Sequence, residues 1–161
     1  MTGPVDALLD ITGYFVAASA GPRGLSAWDV IPSGQTVTGE IGYDTHGGTD
    51  ASSDALIVNL PGVAPVPLDT LTVNFDPNSG AADADPTCVG TLEAPTAPTG
   101  QVCIYLGASG GFDLTSLSGD IASLTTRSFF VGWVPANPDL NPNAALEYDE
   151  FLFASWAYTA P

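Results

Sequence analysis

The chain is 161 residues long, 45% of them hydrophobic, and it sets 18 Asp and Glu against two basic residues, Arg23 and Arg127, for a formal net charge of −16. Nucleic acids and anionic membrane surfaces are held by Lys and Arg, so both are excluded as partners. The length suits one domain, residues 1–161, whose core forms without metal or cofactor, and the hydrophobic content excludes disorder.

Apolar residues come in short runs broken by clusters drawn from 18 glycines, 14 prolines and many Asp, Asn and Ser residues. That punctuation predicts strands rather than helices. In chain order the predicted strands are Ala7 to Val16, Leu25 to Ile31, Gln35 to Tyr43, Ala55 to Leu60, Val66 to Phe75, Val102 to Leu106, Thr126 to Val134 and Tyr148 to Tyr158. Eight strands predict an all-β, two-sheet antiparallel sandwich of jelly-roll type, with a C1q/TNF-like arrangement as one variant. Leu114 to Leu124 has room for one helical turn. Asp44 to Asp54 reads as a long loop, and Glu93 to Gly100 as an extended, Pro-rich one.

Alternation with period two assigns faces. Val37, Ile41 and Tyr43 point inward, with Thr36, Thr38 and Glu40 toward water. Leu71, Val73 and Phe75 oppose Thr70, Thr72 and Asn74. The last strand is apolar on both faces, with Phe151, Phe153 and Ser155 on one side and Leu152, Trp156 and Tyr158 on the other. One sandwich core is not expected to absorb that many aromatics. Phe151, Phe153, Trp156 and Tyr158 are therefore the predicted interface of a homo-oligomer, with a trimer as the expected state.

Cys88 and Cys103 are the only cysteines. Neither a C-x-x-C pair nor a Cys/His cluster accompanies them, so a disulfide is expected, the alternative being two buried thiols. A bond closing that loop contributes about 3 kcal/mol in the chain-entropy model and implies an oxidising compartment. No run reaches the length of a membrane span, which excludes insertion by a helix. Met1-Thr2-Gly3-Pro4 opens no signal peptide, so the chain reads as a mature fragment whose export signal would lie upstream.

Catalytic motifs are weak. Gly107-Ala108-Ser109-Gly110-Gly111 matches G-x-S-x-G, but His46, the only histidine, precedes the serine, and no helix is expected to follow it. A glycine-rich turn is the better reading. Asp44-Thr45-His46 lacks the glycine of an aspartic protease, and Glu147, Asp149 and Glu150 form no convincing glycosidase pair. The expectation is that the protein is not an enzyme. Loops rich in oxygen ligands make Ca²⁺ a candidate at Asp44, Asp50 and Asp54, at Asp76, Asn78, Asp83 and Asp85, or at Asp139, Asn141 and Asn143. No other cofactor is expected. Trp28, Trp133 and Trp156 are read as core or interface in preference to a sugar platform.

Ile31-Pro32-Ser33-Gly34-Gln35-Thr36-Val37-Thr38-Gly39, Cys88-Val89-Gly90-Thr91 with the Pro-rich run from Ala94 to Tyr105, and Ala154-Ser155-Trp156-Ala157-Tyr158-Thr159-Ala160-Pro161 together resemble an actinobacterial secreted β-sandwich domain. Such domains are similar to those at the C-termini of bacterial collagen-like and other surface proteins. The resemblance spans residues 31–161, leaving 1–30 as N-terminal strands, among which Leu9-Asp10-Ile11-Thr12-Gly13-Tyr14-Phe15 is similar to a strand of actinobacterial surface proteins. It implies an extracellular or cell-surface location and a trimeric jelly-roll head, and carries no catalytic residue. No collagen repeat is present, only the two triplets of Gly21-Pro22-Arg23-Gly24-Leu25-Ser26. The expected function is a non-catalytic structural or adhesive surface domain that self-associates. The alternatives are an extracellular carbohydrate- or ligand-binding module, with a glycan or protein ligand, and a virion or tail-fibre surface or decoration domain.

Overall fold

The computed structural model describes residues 24–48, 54–69, 71–111, 113–120, 125–134 and 148–161. Strand β1 is Thr36–Gly48, β2 Asp54–Asn59, β3 Val73–Phe75, β4 Val102–Gly110, β5 Ser118–Asp120, β6 Ser128–Trp133 and β7 Tyr148–Thr159. They form a four-stranded sheet in the order β1-β7-β4-β3 and a three-stranded sheet in the order β2-β6-β5. All pairs are antiparallel except β3 with β4, which is parallel. The chain is thus an all-β sandwich. The parallel pair and the seven described strands stop short of the jelly-roll and C1q/TNF-like refinements, which require an all-antiparallel eight-strand weave.

The core follows from the pleat. On the four-stranded sheet, Val37, Ile41 and Tyr43 of β1 line up across Tyr158, Ala154 and Leu152 of β7, and Tyr158, Trp156 and Ala154 of β7 line up across Val102, Ile104 and Leu106 of β4. Val73 and Phe75 of β3 complete the layer beside Val102 and Ile104. The facing layer comes from Phe129, Val131 and Trp133 of β6 and from Leu56 and Val58 of β2. Ring edges meet across the gap, Phe129 on Trp156 at 5.5 Å and Tyr43 on Trp133 at 4.9 Å. Thr36, Thr38 and Glu40 are exposed, as their alternation requires.

Gly39 lies opposite Trp156 in the register, and a Cβ there would come within 2.7 Å of the indole. The missing side chain gives Trp156 its berth. On the other flank β3 and β5 meet, with Val73 packed onto Gly119. The loop between β3 and the cysteines seals that flank. Phe75 N donates to Asp83 O and Asp85 N to Phe75 O, both at 2.9 Å, while Gly119 N reaches the Asp83 carboxylate at 3.0 Å.

Four sequence expectations are corrected. Leu71 is 81% exposed because Asp69 caps a turn there, accepting from Leu71 N through its carboxylate and from Thr72 N through its carbonyl, which leaves β3 only three residues long. Leu25 to Ile31 is a turn with a single bridge from Val30 to Val63 rather than a strand. Of the expected loop from Asp44 to Asp54, Asp44 to Gly48 and Asp54 are strand, since β1 runs on to Gly48 and β2 begins at Asp54. Cross-strand pairing with the 12-residue β7 holds that extension despite its turn-like composition. Trp156 and Tyr158 are 3% and 0% exposed, inside the sandwich, because the second sheet and the Gly39 berth make room for them. The helical turn shrinks to a single 3-10 turn, Leu114–Ser116, capped by Asp113. The predicted strand from Ala7 to Val16 lies outside the described residues.

Candidate functional site

The outer face of the four-stranded sheet carries the most distinctive chemistry. Cys88 and Cys103 are bonded, with a Cα to Cα distance of 5.5 Å. Cys103 is on β4, pointing away from the main core, so the bond draws the Pro-rich segment back over the sheet. Tyr105, two residues on and on the same face, takes hold of that segment. Its hydroxyl donates to Thr96 O at 2.6 Å and accepts from Gly90 N at 2.9 Å. Thr159 of β7 adds a third tie, its hydroxyl donating to Ala97 O at 2.8 Å and its carbonyl accepting from Gly100 N at 2.7 Å. Cys88, Cys103 and Tyr105 with Ala97 form a second small core. The loop is an outer lid, and it also buries Ser155 and Ala157.

Further along β7 the cover ends. Phe151 and Phe153 stand on this outer face, 40% and 43% exposed. Their cross-strand neighbours are small or polar: Gly42 and Ala108 flank Phe153, and Asp44 and Gly110 flank Phe151. The rings lean over backbone, since a Cβ at Gly110 would meet Phe151 at 2.6 Å and one at Gly107 would meet Leu92 at 2.7 Å and Phe153 at 2.9 Å. The result is an aromatic strip bordered by glycine, with Leu92 of the lid at one end. Of the four predicted interface residues, these two are at the surface and the other two are in the core.

The catalytic motifs do not assemble. Ser109 is within β4, paired with Leu152 in a ladder that shifts register between Leu106 and Ala108. A serine in the body of a strand is not on the tight strand-to-helix turn that exposes a nucleophile. His46 is in β1 opposite Asp149 rather than in a loop. Glu150 is buried at 3% and accepts a hydrogen bond from Trp133 Nε1 at 3.0 Å. It faces the sandwich interior, whereas Glu147 lies outside the described residues.

The calcium candidates are partly described. Asp50, Asp139, Asn141 and Asn143 lie outside the described residues, and Asp44 is exposed. Asp76 is engaged in its own turn, accepting from Asn78 N at 2.9 Å. Asp83 accepts from Gly119 N, and Asp85 accepts from Thr87 N and the Thr87 hydroxyl, both at 2.7 Å. Those bonds, the backbone one first, hold the Asp85 carboxyl below the ordinary carboxylate range. Asp113 is lowered in the same way, by the Thr115 hydroxyl and then its N–H. Among the described residues no three His, Cys, Asp or Glu side chains converge as a metal would need. Asp76, Asp85 and Asp113 serve as turn caps.

One feature departs from the sequence reading, since Trp28 was expected in the core or an interface and is outside the core, and a second had no place in it. Trp28 is 80% exposed with the Arg127 guanidinium 4.7 Å from its ring centre, and that Arg also donates to Ala27 O at 2.7 Å. The second is a groove of about 440 Å³ between β1 and β2. Trp28 and Arg127 are 99 residues apart in sequence, and the groove joins strands of two sheets, so neither leaves a local pattern. Among the described residues no helix is long and apolar enough to cross a membrane. Comparison with family models, curated proteins and solved structures finds no match for this chain.

Proposed function

We propose that the protein is a non-catalytic, extracellular structural or adhesive domain that associates with copies of itself through the outer face of its four-stranded sheet. The observation that carries this reading is the Phe151 and Phe153 strip, two large rings left half-exposed beside a lid that covers Ser155 and Ala157. Exposed aromatics in a glycine border supply rigid apolar area at little entropic cost, and such patches mark association sites. The disulfide supports an oxidising, extracellular setting. Closed symmetry is the common outcome of self-association, and a trimer is the specific expectation.

The test is light scattering on the wild type and on a Phe151→Ser/Phe153→Ser variant. The wild type is expected near three times the monomer mass, more firmly at high salt because screening relieves the repulsion between chains of net charge −16. The variant is expected to be monomeric with its melting temperature little changed. A wild type that is monomeric at tens of micromolar in both low and high salt overturns the reading. The exposed Trp28 ring, backed by Arg127, favours a second reading as a carbohydrate- or ligand-binding module. A glycan-array signal lost in Trp28→Ala would select it.

A further inference from the structure

The lid contains a three-residue repeat, Ala94-Pro95-Thr96 followed at once by Ala97-Pro98-Thr99. Thr96 and Thr99 are exposed, whereas Pro95, Ala97 and Pro98 are half-buried, Ala97 against Cys88, Cys103 and Tyr105. A period of three is that of the polyproline II conformation, which prolines favour and which brings every third side chain to the same side. The two threonine hydroxyls are thereby presented together, about 9 Å apart along an extended segment.

The backbone of this segment is tied to the sheet while its hydroxyls are left out. Thr96 O accepts from the Tyr105 hydroxyl at 2.6 Å and Ala97 O from the Thr159 hydroxyl at 2.8 Å, and Gly100 N donates to Thr159 O at 2.7 Å. The nearby threonines spend their hydroxyls on turns. Thr87 donates to the Asp85 carboxylate at 2.7 Å, and the Thr91 hydroxyl accepts from Ala94 N at 3.1 Å. Among the described residues the Thr96 and Thr99 hydroxyls make no such bond. Threonines spaced by proline in an exposed, extended stretch are the setting in which O-linked sugars are carried. A segment already held extended also costs little entropy to dock in the cleft of a modifying enzyme.

We propose that Thr96 and Thr99 are O-glycosylation sites, each hydroxyl taking a hexose from a donor activated as a phosphate ester at its anomeric carbon, under a glycosyltransferase of the host. In the transfer the threonine Oγ1 forms a bond to the anomeric carbon. The bond from that carbon to the phosphate oxygen breaks, its electron pair leaves with the phosphate, and the hydroxyl proton passes to a base of the transferase. Thr99 bridges to Thr159, which is about 20 Å along β7 from Phe153, so the sugars stand clear of the aromatic strip. The inference rests on the extracellular setting in the proposed function and not on self-association.

The experiment is mass spectrometry of the full chain recovered from the cells that make it, after medium, cell surface and cytoplasm are separated. The same chain made in a cytoplasm without such transferases is the unmodified reference. Chain found outside the cell is expected to exceed the reference by whole hexose units, and fragmentation that preserves the glycosidic bond should place them on Thr96 and Thr99. Thr96→Val/Thr99→Val should lose those increments with its melting temperature little changed, whereas Thr91→Val should keep them. Chain outside the cell with the reference mass overturns the inference and leaves the location standing. Chain confined to the cytoplasm overturns both. Sugar on Thr87 or Thr91 with Thr96 and Thr99 bare also overturns the inference, because those are the hydroxyls engaged in turns. Mapping on the wild type decides the matter even where a variant fails to fold.

Discussion

The inner and outer faces of β7 are both apolar, and they are covered by different means. The inner face, with Leu152, Ala154, Trp156 and Tyr158, is closed by a second sheet whose side chains interdigitate with it. The outer face, with Ser155 and Ala157, is closed by an irregular loop held by one disulfide, one tyrosine hydroxyl and one threonine. A strand apolar on both sides therefore need not face a partner, since a loop with little core of its own can serve if it is tied down. Where the ties end, at Phe153 and Phe151, the aromatic surface stays open. The inner face owes its stability to packing and the outer to attachment, and the two should fail differently.

The largest expected effect is on the inner face. Phe129→Ala removes a fully buried ring in edge contact with Trp156 and should cost about 3–5 kcal/mol, read as a lower midpoint in denaturant with the slope unchanged. A loss below about 1 kcal/mol would mean that the two sheets do not share one close-packed core.

Cutting the outer attachment should come next. Cys88→Ser with Cys103→Ser is expected to destabilise by about 3 kcal/mol. Unlike the core change, it should first raise protease cleavage within residues 88–100, found by mass spectrometry before global unfolding. Uniform cleavage across the chain would show that the lid and the sandwich unfold as one unit.

The smallest effect has the opposite sign. The Tyr158 hydroxyl is buried without a hydrogen-bond partner, so Tyr158→Phe removes an unmet polar group and should stabilise by up to about 1 kcal/mol. Burial also raises its pKa above the ordinary 10.0. The folded state thus keeps this proton where the unfolded chain gives it up. The associated stability is complete below pH 10 and is lost as the pH rises from there through the folded value. Thermal melts from pH 9 upward should show a steeper alkaline decline for the wild type than for Tyr158→Phe, and parallel curves would contradict the buried hydroxyl.

Much of the fold was legible because period-two patterning is a local property. Val37, Ile41 and Tyr43, and Leu152, Trp156 and Tyr158, each share a face, and a chain with only Cys88 and Cys103 has one intramolecular pairing to make. The reading went astray where capping or distance intervened. Asp69 turned Leu71 out of its strand, and the cover over Ser155 and Ala157 came from a loop about 60 residues away. Aromatics on both faces of β7 looked like surplus because the berth for Trp156 is a missing side chain, Gly39, on a strand more than 100 residues earlier.

The sequence by itself determined the class, all-β with short punctuated strands, the faces of β1 and β7 and the single disulfide. These depend on backbone periodicity and on cysteine count, neither of which needs a third dimension. Only the tertiary structure decided which of the two apolar faces of β7 is interior and how far the lid reaches. Those outcomes depend on which distant segments arrive beside one another, and the register of β7 between β1 and β4 sets that for residues that carry no mark of it in the chain.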